Sequence, residues 1–120
     1  MIDSEKIEAL FKEGLRFYRA GEYFEAHESW EDLWSDYYLP DRKFVQGLIQ
    51  LSVSFVHLEN GNIKGAKSLL NKCTEKFKEF DGLQRGVDVN NLLIQINQVR
   101  DAYDGLILGE TFDWKIIPKI

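Results

Sequence analysis

The sequence predicts an all-α protein, a compact bundle of about five helices built on two helix-turn-helix hairpins. Three observations carry this expectation. Apolar residues recur at three- and four-residue spacing through most of the chain, the period of one face of a helix. Glycines stand where those periodic stretches end, while Pro occurs only 2 times in 120 residues. A helix-glycine-helix pattern also occurs twice, at an offset of 40 residues. The length suits one folded domain, 1–120, large enough to bury a core.

The first helix is expected over 3–19, with Asp3 or Ser4 as its cap and Ile7, Leu10, Phe11, Phe17 and Tyr18 at helical spacing. Gly21 stops it. The second spans 22–37 and puts Tyr23, Ala26, Trp30, Leu33, Trp34 and Tyr37 on one face. The aromatic stripe Trp30, Trp34, Tyr37 and Tyr38 is expected in the core. Pro40 ends this helix, because a proline disfavours helical backbone in the residue before it. Asp41 offers a cap for the third helix, 41–59. Gly61 then reads as the left-handed residue past a helix end, and Asn62 as the cap of the fourth helix, 62–80. "DGLQRGVDVN" reads as a loop. The fifth helix, 88–108, carries Val89, Leu92, Leu93, Ile96, Val99, Tyr103 and Leu106 as its stripe. The tail, 109–120, is expected to pack back, since Phe112, Trp114, Ile116 and Ile117 would otherwise form an exposed apolar patch.

The internal repeat sets Gly14 against Ser54, Phe17 against His57, Gly21 against Gly61, Ala26 against Ala66, and Trp30 against Leu70. A small Ala early in each second helix lets the two helices approach closely. This spacing resembles the tetratricopeptide hairpin, whose small, Gly, aromatic and Ala positions match Gly14, Phe17, Gly21, Ala26 and Trp30. Two copies are fewer than a solenoid usually needs, so a compact bundle is expected rather than an array.

Charge narrows the partners. The net charge is −5 and no basic cluster stands out. Nucleic acid and anionic membrane are poor partners for such a chain, because both are bound by neutralising phosphates with Lys and Arg. The longest uncharged run, Phe44 to Leu58, is 15 residues, too short to cross a bilayer. One cysteine, Cys73, rules out an internal disulfide and fits a reducing compartment. The start of the chain lacks the basic-then-apolar order of a signal peptide. A cytoplasmic protein is expected, with a protein partner or a small ligand, and the tail or fifth helix is a candidate surface for a homo-oligomer.

The candidate site begins in "EAHESWEDLW", residues 25–34. Its His-Glu-x-x-Glu is one residue away from the His-Glu-x-x-His of zinc proteases, with Glu31 in place of the second His. His27 and Glu31 are one helical turn apart and can point at a common place. In the next helix Gln46, Gln50 and His57 fall within about 40° of one another on the helical wheel. A solvated stripe would usually carry Lys or Glu, whereas this one carries neutral hydrogen-bonding groups. A binding pocket formed by His27, Glu31, Gln46, Gln50 and His57 is therefore the sharp expectation. Two further readings stand beside it. His27, Glu31 and His57 could hold a divalent zinc, iron or manganese ion, with Glu28 as general base in hydrolysis by a metal-bound water. Alternatively, the cluster is a buried hydrogen-bond network that fixes the angle between the hairpins, or the hairpins form a protein-protein interaction module.

"GEYFEAHESWEDLW" followed by "QGLIQLSVSFVHLENGNIKGAKSLL" resembles the domain-of-unknown-function family numbered 309. The resemblance rests on Glu25, Ala26, His27, Glu28, Glu31 and Trp34; on Gln46, Gly47, Gln50 and His57; and on Gly61, Asn62, Gly65 and Ala66. It covers roughly residues 10 to 75. It implies a small all-helical fold in a prokaryotic or plastid protein and supplies no activity.

Overall fold

The computed structural model describes residues 2–120. Five helices follow one another: α1 Asp3–Arg19, α2 Tyr23–Asp36, α3 Arg42–Glu59, α4 Ile63–Phe77 and α5 Val89–Ile107. Between α4 and α5 runs a two-stranded ribbon, β1 Leu83–Gln84 and β2 Val87–Asp88, and a 3₁₀ turn, Trp114–Ile116, lies in the tail. Each helix packs chiefly on its neighbours in the chain, α1 on α2, α2 on α3, α3 on α4 and α4 on α5. The bundle is accordingly elongated, 50 × 27 × 21 Å. Among the described residues, no helix is long and apolar enough to cross a membrane.

The internal repeat is visible as backbone geometry. After α1, the Gly21 amide donates to Tyr18 O and the Glu22 amide to Phe17 O, with Gly21 at φ +77°. After α3, Gly61 donates to Leu58 O and Asn62 to His57 O, with Gly61 at φ +75°. These are the same Schellman-type closure, which needs a left-handed residue that glycine supplies without Cβ strain. α5 ends the same way: Gly109 donates to Leu106 O and Glu110 to Gly105 O. The motif therefore starts a third time. Trp114 stands where Ala26 and Ala66 stand in the earlier copies, five residues after the glycine, and only a short 3₁₀ turn follows.

Close packing inside the hairpins depends on small residues. A Cβ on Gly14 would overlap the buried Trp30 indole, and one on Gly47 would press into the Phe77 ring. Trp30 Nε1 donates to Phe11 O at 3.2 Å, so the buried indole has its partner. At the position equivalent to Gly14, Ser54 Oγ donates to Ala66 O at 2.6 Å and lies 2.9 Å from the Tyr103 hydroxyl. One small-residue position thus packs a Trp in the first hairpin and ties α3, α4 and α5 together in the second.

Several local expectations change. Neither Asp3 nor Ser4 caps α1: Ile2 takes the cap position, and no side chain bonds the first amides. Asp41 occupies the cap position of α3, but its side chain bonds none of the helix's amides. It accepts two hydrogen bonds from Arg85 instead, at 2.6 and 2.9 Å. The expected loop contains the β1–β2 ribbon, turned by Arg85 at φ 50° and Gly86 at φ 80°. Two successive left-handed residues suit the tight turn of an antiparallel pair. This ribbon carries Arg85 to Asp41, and the Arg85 guanidinium also lies 5.1 Å from the Phe11 ring centroid. Asn62 does cap α4, its side chain accepting from the Gly65 amide at 2.9 Å. In the aromatic stripe Trp30 is fully buried, but Tyr38 is 87% exposed, because α2 stops at Asp36 and Tyr38 lies past the helical face that carried the pattern.

The tail returns across the bundle. Tyr18 Oη donates to Pro118 O at 2.7 Å, and Gln95 makes a reciprocal pair with the Lys119 backbone at 2.9 and 3.3 Å. Phe112, Ile116 and Ile117 pack against the core.

Candidate functional site

His27 sits one turn into α2. Its Nδ1 lies 2.7 Å from Phe24 O and its Nε2 3.0 Å from Glu31 Oε2. Both contacts come from helical spacing alone: residue i−3 supplies the carbonyl and residue i+4 the carboxylate. Because a carbonyl only accepts, Nδ1 carries the hydrogen. Nε2 then either donates to Glu31, as in the imidazolium, or presents its lone pair on that side. The ring is half-buried, with the Phe24 ring 5.1 Å away. Glu31 is largely exposed, its side chain at 55%, and Glu28 is exposed as well.

A backbone carbonyl on Nδ1 is also the usual way a metal-binding His is oriented. His27 Nε2 and Glu31 Oε2 are spaced as two adjacent ligands of one ion could be. The third expected ligand is not beside them. His57 lies near the end of α3, where its Nδ1 accepts from Asn62 Nδ2 at 3.3 Å. Asn62 therefore serves two partners, the Gly65 amide and His57, and this places His57 in the α3–α4 turn. Among the described residues, no group of three or more His, Cys, Asp or Glu is arranged to hold a metal ion.

The α2–α3 seam carries a feature that the residue pattern did not reveal. Trp34 Nε1, Gln50 Oε1 and, also on α3, Ser52 Oγ are buried and have no hydrogen-bond partner. Trp34 is seven residues after His27, so the two share a helical face with Glu31. The Arg42 guanidinium lies 4.1 Å over the Trp34 ring, which sets that face beside the start of α3. Gln46 and Gln50 are half-buried on α3. The structure thus joins His27 to Glu31 and His57 to Asn62. On the same two helices it holds a donor and an acceptor unpaired. The residue pattern places Trp34 among the core aromatics and gives no signal for Arg42, because a cation over a ring depends on how two helices are placed.

Cys73 is fully buried, and burial pushes its thiol up to about 12. It is a packing residue. A cleft of about 550 Å³ opens elsewhere, where the tail crosses the α1–α2 turn.

The fold and these contacts define a small helical-hairpin protein with half-buried polar side chains on its second and third helices. Residues 11–69 match the family described as Domain of unknown function (DUF309). The matched region contains both Gly turns and every residue of the seam. No curated protein and no solved structure matches the chain.

Proposed function

We propose that the protein is a helical binding protein, and that its site is the α2–α3 seam around His27, Glu31, Trp34, Gln46 and Gln50. One observation carries this reading: a buried indole N–H and a buried amide oxygen, on packed helices, without partners. Leaving such a group unpaired costs about 1–3 kcal/mol, so an unpaired donor and acceptor call for an explanation. A small polar ligand with one acceptor and one donor would satisfy both. The His27–Glu31 pair at the rim would supply a cation or an anion to it. A buried, unreactive thiol fits a reducing, cytoplasmic setting.

Replacing Gln50 by Leu separates binding from structure. If the amide is kept for a ligand, Gln50→Leu leaves the melting temperature of the unliganded protein unchanged or higher. The same variant then loses whatever small molecule accompanies the wild type through purification, as read by native mass spectrometry. A melting temperature several degrees lower, with no bound small molecule in the wild type, would overturn the reading in favour of a structural network.

A further inference from the structure

We propose a second site, for a small aromatic anion, in the cleft between the α1–α2 turn and the C-terminal tail. The cleft encloses about 550 Å³, within the range of small-ligand sites, roughly 300–1,000 Å³. Tyr23 and Trp114 supply its aromatic wall, two rings inclined by only 16° with centroids 6.4 Å apart. Trp114 is held in this pose by Phe112, whose ring meets it edge-on at 5.1 Å, and yet it remains 44% exposed. An aromatic face kept rigid and open to solvent is a surface on which a planar ring can stack.

The charge is equally uneven. In a chain of net charge −5, Arg19, Lys115 and Lys119 all line this one cleft; no Asp or Glu side chain lines it, and the Ile120 carboxylate that does is taken by Arg19. Arg19 is engaged, its Nε donating to Ile120 O at 2.8 Å. Among the described residues, neither Lys115 nor Lys119 has an ion-pair partner. The anionic part of a ligand belongs at the two lysines. The tail that carries them is fixed by Tyr18 on Pro118 and by Gln95 on Lys119. The site is therefore built before a ligand arrives, which lowers the ordering cost of binding. An aromatic phosphate and an aromatic carboxylate share the required chemistry, a planar ring with a negative group at its edge. This site is separate from the α2–α3 seam and does not rest on the function proposed for it.

The test is a titration of the full chain, followed by amide and indole NMR, with four probes. Adenosine monophosphate and 2-naphthoate carry ring and charge, adenosine carries the ring alone, and ribose 5-phosphate the charge alone. Saturable shifts of the Trp114 indole and of residues 115–119 with either of the first two support the site. Adenosine and ribose 5-phosphate should each bind at least about tenfold more weakly than adenosine monophosphate if that is the ligand type. The double variant Lys115→Gln, Lys119→Gln changes two exposed side chains and should weaken binding on the order of tenfold without moving the melting temperature. Absence of shifts with both aromatic anions at millimolar concentration would overturn the proposal. So would adenosine binding as tightly as its monophosphate, or shifts unaffected by the double lysine variant.

Discussion

Gly14 of α1 lies against the indole of Trp30 in α2, so closely that even a methyl group would occupy the ring's space. Trp30 is fully buried, and its Nε1 is bonded to Phe11 O, so the ring cannot swing aside without breaking that bond. Gly14→Ala gains up to about 1 kcal/mol of helix propensity. Against this, forcing an extra methyl into a packed core costs about 1–3 kcal/mol, and here, where a rigid bonded ring must move, the upper part of that range, about 2–3 kcal/mol, applies. The net expectation is a loss of about 1–2 kcal/mol, seen as a lower urea midpoint at unchanged slope. A variant as stable as the wild type would show that α1 can slide on α2.

Arg85 and Asp41 make a part-buried bidentate pair joining the ribbon to the start of α3. Arg85→Ala removes both bonds and leaves a part-buried Asp41 carboxylate without its partner. A loss of about 1.5–3 kcal/mol is expected, because charged hydrogen bonds of fixed geometry are the stronger kind. The Asp41→Ala, Arg85→Ala double-mutant cycle measures the coupling, and a coupling near zero would reduce the pair to a surface contact.

A buried Glu31 bonded to His27 would stabilise the protein. With its side chain 55% exposed, its pair with His27 is of the solvated kind. Glu31→Gln should change stability by no more than about 0.5 kcal/mol in a urea melt.

The same two side chains bear on metal binding. With two donors together and His57 engaged by Asn62, zinc or manganese added to chelator-treated protein should dialyse away. Stoichiometric retention, abolished in His27→Ala, would reveal a ligand set that the described arrangement does not assemble.

Cys73 gives a pH-dependent expectation. Its thiol is raised from 9.0 to about 12 in the folded protein, chiefly by burial, with Arg100 partly opposing. A raised pKa favours the neutral thiol in the folded state. Its contribution is therefore full below the unfolded value near 9 and is lost as pH climbs from there towards 12. The buried Tyr18 and Tyr103 hydroxyls are raised for the same reason and act in the same direction. Urea midpoints should fall progressively above pH 9, less steeply in Cys73→Ala. At pH 8 a disulfide reagent should react with Cys73 only as fast as the protein opens.

The sequence by itself determined the helices, their order and the two Gly turns, since these follow from local periodicity and from backbone that only glycine adopts without strain. It also determined that His27 and Glu31 meet, because one helical turn separates them. It could not place His57, whose partner Asn62 lies across a turn, nor foresee that Asp41 would be taken by Arg85 rather than by the helix it begins. The ribbon that carries Arg85 has two residues in each strand, too few for an alternating pattern to register. The unpaired Trp34 and Gln50 groups, the aromatic wall of Tyr23 and Trp114, and the two lysines beside it are set by how α2, α3 and the tail pack. Those positions depend on contacts between residues distant in the chain, and a one-dimensional pattern carries the spacing along a helix but not the space between helices.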